Sequence, residues 1–167
     1  MFENMIPPAG EPAGANLQFD AARPYHILIV DDEPLICRLN REVLVEAGYQ
    51  VDVAEDGLAA WNKLQSHEYD LLITDHDMPK MTGVKLLQTL YANRRSLPTI
   101  MISGTMPDEE LERYPWLQTR ARLSKPYGLT EFLETVETVL HTSPLTHSQM
   151  EVMPNVRYQP ADAALRL

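Results

Sequence analysis

A chain of 167 residues, 44% hydrophobic and 23% charged, has room for one ordinary globular domain with a sizeable core and loose ends, and is cramped for two. Its formal charge of −10 argues against a surface that tracks nucleic-acid phosphates or anionic lipid, which calls for clustered Lys and Arg. The single cysteine, Cys37, rules out an internal disulfide. It sits among Leu35, Ile36 and Leu39 in a helix-like run, which suits a core position in a reducing compartment.

No Lys or Arg precedes Arg23, and no apolar run matches a signal-peptide core or a bilayer span, so the expected location is cytoplasmic with no membrane partner. Residues 1–24 carry Pro7, Pro8, Pro12 and Pro24 among Ala and Gly, and are expected to form a flexible arm. From Tyr25 onward, β-branched runs alternate with amphipathic stretches. A strand over 26–30 precedes a helix over 34–47, a strand over 50–54 a helix over 58–66, and a strand over 70–74 a helix over 84–92. Residues 98–102 read as a buried strand, 108–113 as a short helix stopped before Pro115, 121–124 as an edge strand and 130–141 as the last helix.

Pro34 suits a first helical turn, Gly48 a helix C-terminus, and Thr130 with Leu129 the opening of the last helix. Strands such as His26-Ile-Leu-Ile-Val30 and Leu71-Leu-Ile-Thr74 are apolar on both faces, which predicts helices on both sides of a five-stranded parallel sheet, a doubly wound α/β sandwich. After His141 the chain becomes polar and is broken by Pro144, Pro154 and Pro160. The expected domain therefore covers 25–142. Residues 143–167 form a tail with no effector domain, open between a disordered remnant, a packed segment and a docking segment around Val152, Met153, Val156 and Tyr158.

In open α/β sheets ligands bind beyond the C-terminal strand ends, so the polar residues that follow each apolar run are the candidates. Strand one is followed by Asp31-Asp32-Glu33, strand three by Asp75, strand four by Ser103-Gly104 and strand five by Lys125-Pro126. Each piece alone is weak, since an Asp-Asp pair is more often a turn or cap and Ser-Gly a turn signal. Their placement at successive strand ends carries the argument. Carboxylates crowded on one rim repel unless a hard divalent cation neutralises them, and Mg²⁺ or Mn²⁺ suits Asp31, Asp32 and Asp75. An Asp75 oxygen could then attack phosphorus while Lys125 and Ser103 spread the charge growing on the phosphoryl oxygens and Gly104 leaves space.

Val30-Asp31-Asp32-Glu33, Thr74-Asp75-His76-Asp77-Met78-Pro79, Ile102-Ser103-Gly104 and Ser124-Lys125-Pro126 closely resemble a response-regulator receiver domain in order and spacing. The resemblance covers roughly 25–142 and extends to Ala54-Glu55-Asp56-Gly57 and Met81-Thr82-Gly83. It implies a flavodoxin-like (βα)5 fold with strand order 2-1-3-4-5. By the same resemblance Asp75 is the phosphoacceptor, Asp31 and Asp32 are the acidic metal pair, the backbone carbonyl of Asp77 is a further metal ligand, and Ser103 and Lys125 contact the phosphoryl group. The implied donor is a phosphohistidine on a sensor histidine kinase or phosphotransfer protein. The implied readout is a downstream protein bound to the face of helix four, strand five and helix five, with homodimerisation left open. Such a chain is a single-domain switch of two-component signalling that catalyses its own phosphoryl transfer and slow autodephosphorylation, rather than a conventional enzyme.

Several positions depart from the family pattern. Arg122 replaces the aromatic residue that commonly lies three positions before the lysine, and reads either as an edge-strand charge or as a guanidinium for an acidic partner. Tyr114 and Trp116 read as a local core cap or an exposed hot spot, His76 as an exposed loop histidine, and Asp77 as a side chain able to tune phosphoryl lifetime. One rival is a receiver that works as a binding module without phosphorylation. A remote second is a phosphatase of the haloacid dehalogenase type, suggested by Leu72-Ile-Thr-Asp75-His-Asp77 but undercut by Pro79 and by an unexplained Asp31-Asp32. Direct DNA contact is not expected, because 142–167 is short and poor in Lys and Arg.

Overall fold

A computed structural model describes residues 23–117 and 119–141. The expected arm, apart from residues 23 and 24, and the expected tail lie outside the described residues. Ten elements alternate along the chain: β1 (His26–Val30), α1 (Pro34–Glu46), β2 (Gln50–Ala54), α2 (Gly57–Ser66), β3 (Leu71–Asp75), α3 (Gly83–Ala92), β4 (Thr99–Ser103), α4 (Asp108–Arg113), β5 (Ala121–Ser124) and α5 (Leu129–His141). The strands form one parallel sheet in the order β2-β1-β3-β4-β5: the apolar strands predict the doubly wound layering, and the flavodoxin-like order is the one the family resemblance implies.

Period-two alternation sorts the strand residues onto the two sides of the sheet. Ile27, Ile29, Leu71, Ile73, Ile100, Ile102 and Leu123 face Cys37 and Leu44 of α1 and Phe132 and Val136 of α5. Leu28, Val30, Leu72 and Met101 face Ala60, Leu64, Val84, Leu87 and Leu90 of α2 and α3, with Leu111 of α4 on the same side. Both faces are closed, as a parallel sheet with helical crossovers requires.

Local signals explain most boundaries. Pro34 occupies the first turn of α1, and Gly48 at φ 93° ends it, its N–H donating to the Val45 carbonyl at 3.0 Å while Tyr49 N–H reaches the Leu44 carbonyl at 3.0 Å. Asp56 caps α2 by accepting from Ala59 N–H at 2.8 Å, and Thr82 caps α3 by accepting from Lys85 N–H at 3.3 Å. Cys37 is buried, and burial pushes its thiol up to about 11, which fits the core role expected of it. Tyr114 and Trp116 are partly buried against the α2–α4 side with ring centroids 5.2 Å apart, so they cap that core.

Candidate functional site

The same alternation carries the site. Asp31 continues the Ile27–Ile29 phase, Asp75 the Leu71–Ile73 phase and Lys125 the phase of Leu123, so all three project from the C-terminal rim toward the α1–α5 side. Val30 pairs in register with Thr74, which sets Asp31 and Asp75 next on neighbouring strands. Lys125 Nζ lies 2.9 Å from Asp31 Oδ2 and 3.4 Å from Asp75 Oδ1, and it reaches Glu33 Oε1 at 3.1 Å. Asp31 is 3% exposed and Asp75 4%, so two nearly dry carboxylates share one ammonium.

Burial drives the electrostatics of this group. It pushes the Asp75 carboxyl above its ordinary value; Asp31 and Asp77 push in the same direction, and Lys125 offsets only part of the rise. Burial also pulls the Lys125 ammonium down, but the hydrogen bond and charge of Asp31, with Asp75 and Glu33, outweigh it and leave that pKa raised. The Lys125 segment is further held by its backbone N–H on the Ser103 carbonyl at 2.9 Å and by Asn40 Nδ2 donating to Tyr127 Oη at 2.8 Å. Asn40 is buried on α1, and the sequence reading did not single it out.

Ser103 takes the other phase, that of Met101, on the α2–α3 side of the sheet. Its hydroxyl has one proton and two acceptors in reach, the Thr105 carbonyl at 2.6 Å and Asp77 Oδ2 at 3.2 Å, while Thr105 N–H donates to it at 3.1 Å. Fully buried, Ser103 is therefore tied to the loops after β3 and β4. A Cβ on Gly104 would meet nothing within 4 Å, so the space beside it is open.

Asp32 is exposed and apart from the ammonium contacts of its neighbours. Among the described residues no three Asp, Glu, His or Cys side chains already converge as a cation cage. Mg²⁺ asks for less, because it is held by one or two carboxylates and retains several waters. The hard oxygens of Asp31 and Asp75 on one rim, with Asp32 open to water beside them, fit that demand.

His76 corrects its expectation. It is 8% exposed, not a solvent-facing loop residue, because the strand ladder runs one residue past Asp75: His76 N–H donates to the Ile102 carbonyl at 3.0 Å. Its Nε2 lies 3.8 Å from Asp77 Oδ1, and its Nδ1 has no hydrogen-bond partner among the described residues. For Arg122 the structure shows a contact within the chain, Nη1 to Asp108 Oδ1 at 2.8 Å, joining β5 to α4 across an exposed surface. A bridge so wet contributes little to stability.

Helix α3 starts directly against the phosphoacceptor candidate. A Cβ on Gly83 would collide with the Asp75 carbonyl oxygen and lie 3.1 Å from His76 Cα. Both obstacles are backbone and cannot yield cheaply, so Gly83→Ala is expected to destabilise the fold by about 2–3 kcal/mol, at the upper end for overpacking. Urea unfolding checks this, and an unchanged midpoint would contradict the close approach.

Residues 27–137 match the family described as the response regulator receiver domain. The chain belongs to that family. Among curated relatives this receiver chain is similar to the response regulator RppA of Synechocystis, 32% identical over 83% of this chain and 60% of that protein. It is also similar to the sensor histidine kinase RcsC of Escherichia coli, 34% identical over 66% of this chain and 12% of that protein. This chain thus spans less than two thirds of either relative. Among solved structures a CheY-like receiver domain from Methanospirillum hungatei superposes with TM-score 0.66 at 26% identity, covering 70% of this chain and 94% of that one. TrrA of Thermotoga maritima, solved in complex with Mg²⁺ and BeF, gives TM-score 0.61 at 31% identity over 70% of this chain and 99% of that one. This chain accordingly carries a receiver domain of the two-component type. No helix among the described residues is long and apolar enough to cross a membrane.

Proposed function

We propose that this receiver is a phosphorylation-dependent switch that takes a phosphoryl group onto Asp75 from a phosphohistidine of a sensor kinase or phosphotransfer protein, and signals through protein contacts in the cytoplasm. The observation that carries the reading is the Lys125 ammonium within 3.4 Å of both Asp31 and Asp75, on a rim where those two carboxylates are almost buried. Residues 1–24 and 143–167 are proposed to flank the domain as arm and tail.

Asp31, Asp32, Asp75 and the backbone carbonyl of Asp77 would hold Mg²⁺, with Mn²⁺ chemically able to substitute; the bound ion supplies neutralisation of the charge on the phosphoryl oxygens. The remaining chemistry belongs to the chain. An Asp75 carboxylate oxygen forms a bond to phosphorus as the N–P bond to the donor imidazole breaks, and the imidazole nitrogen takes a proton from solvent. Lys125, already beside Asp75, is placed to pair with a phosphoryl oxygen. Ser103 can reach the new group only by releasing Thr105 or Asp77, which couples acceptance to movement of the loop before α4. The face of α4, β5 and α5 would read that movement, and a dimer on it stays open.

The full chain with Mg²⁺ and a small phosphoryl donor is expected to gain one phosphoryl group that hydroxylamine removes. Chelation of the metal should stop the gain. A product stable to hydroxylamine, or equal labelling in chelator, would sink the proposal and favour the binding-module reading.

A further inference from the structure

The loop between β3 and α3 carries Asp77, whose carboxylate accepts from Ser103 Oγ at 3.2 Å. Lys80, near its apex, adopts a left-handed backbone conformation at φ 64°, unfavourable for a residue with a Cβ. Its side chain crosses to the start of α2, where Nζ meets Asp56 Oδ2 at 2.5 Å. Asp56 is 2% exposed; its other oxygen caps α2 through Ala59 N–H, so the anchor end of the contact is rigid. The next residue along α2, Gly57, has no room for a Cβ, which would lie 2.6 Å from the Met81 carbonyl oxygen. Two independent contacts therefore press the loop onto the N-terminus of α2. At its far end Gly83 N–H donates to the His76 carbonyl at 3.0 Å, passing that placement to the residue between Asp75 and Asp77.

We propose that Lys80, through its ion pair with Asp56, is a positioning residue for the phosphoacceptor site: it fixes the loop that presents Asp77 to the cation and to Ser103. The inference rests on the function proposed above. Residues that orient a metal's direct ligands without touching the metal typically govern affinity by 10- to 100-fold. The charge on Asp56 is secured in the same contact, since the Lys80 hydrogen bond, ahead of the Ala59 amide, holds its carboxyl below the usual value. Glycine or asparagine would suit the left-handed backbone better, but neither side chain would reach Asp56.

Lys80→Asn keeps a residue that tolerates the left-handed backbone and removes the reach to Asp56; Lys80→Arg keeps the cation. In the whole 167-residue chain, Mg²⁺ titration should show about 10-fold weaker binding in Lys80→Asn and near wild-type binding in Lys80→Arg. The metal-free urea midpoint should fall in Lys80→Asn, where the buried Asp56 loses its partner, and stay near wild type in Lys80→Arg. Amide exchange without metal should speed up about 10-fold at Gly83 in Lys80→Asn, with β1 and α5 unchanged. Wild-type affinity in Lys80→Asn overturns the proposal, as does unaltered exchange at Gly83 or exchange that speeds up equally in β1 and α5. Absence of Mg²⁺ binding by the wild type would strike the functional reading instead, and the exchange arm would still decide whether Lys80 holds the loop.

Discussion

Asp75→Asn is expected to lower phosphoryl incorporation from a small donor by at least about 100-fold while making the metal-free protein more stable than wild type. The first effect follows from losing the proposed nucleophile, since Asp31, the other buried carboxylate on the rim, is also tied to the backbone by Glu33 N–H at 2.9 Å. The second follows from linkage. The folded pKa of Asp75 lies above its unfolded value of 3.8, so the native state binds that proton more tightly. The stability it contributes is complete below 3.8 and is lost as pH rises through the folded value, leaving an ionised, crowded carboxylate at neutral pH. Asparagine never ionises and escapes that loss. Melting curves in chelator at neutral pH and near pH 4 check the sign: the advantage of the variant should shrink as pH falls. An equal advantage at both pH values would contradict the burial of a charged Asp75.

Lys125→Met should separate binding from transfer. Removing the ammonium leaves Asp31 and Asp75 facing each other at 3% and 5% side-chain exposure with no cation between them. Metal-free stability near neutral pH is expected to fall by about 2–3 kcal/mol, less than for a fully buried pair because Asp75 can take up a proton and Lys125 keeps 20% of its side-chain surface in water. Mg²⁺ should bind more tightly, since it no longer competes with a fixed positive charge for the same oxygens. Phosphoryl transfer should nonetheless slow by roughly 10²- to 10³-fold, the usual scale for losing one fixed donor to the developing oxyanion. Calorimetric Mg²⁺ titration beside a single-turnover labelling time course checks both. Weaker Mg²⁺ binding with unchanged transfer would reverse the assigned role. In the wild type the folded Lys125 pKa is raised above 10.5, so its contribution is present below that value and fades as pH climbs through the folded one.

Much of this geometry was legible because strands alternate with a period of two. Asp31, Asp75 and Lys125 each follow an apolar run in the phase that packs on α1 and α5, so their convergence is a property of pattern as much as of contact. The phase of Ser103 is equally readable, and it accounts for that hydroxyl resting on Thr105 and Asp77 instead of Lys125. A strand over 70–74 leaves His76 in the following loop, whereas the ladder extends through the His76 amide to the Ile102 carbonyl and buries the ring. The contacts of Lys80 with Asp56, Glu33 with Lys125 and Asn40 with Tyr127 left no comparable trace. They join loops or helices distant in sequence, and they depend on backbone states such as the left-handed Lys80 that no hydrophobic period encodes. Arg122 belongs with them, since only the relative placement of β5 and α4 reveals Asp108 as its partner.

The most direct measurement is chemical trapping on the full chain. After incubation with Mg²⁺ and a phosphoryl donor, borohydride reduction converts an aspartyl phosphate to homoserine, which peptide mass spectrometry locates. The account predicts homoserine at position 75 alone, dependent on Mg²⁺. Homoserine at position 31, 32 or 77, or a phosphoryl group found on serine or histidine with Asp75 intact, would contradict it.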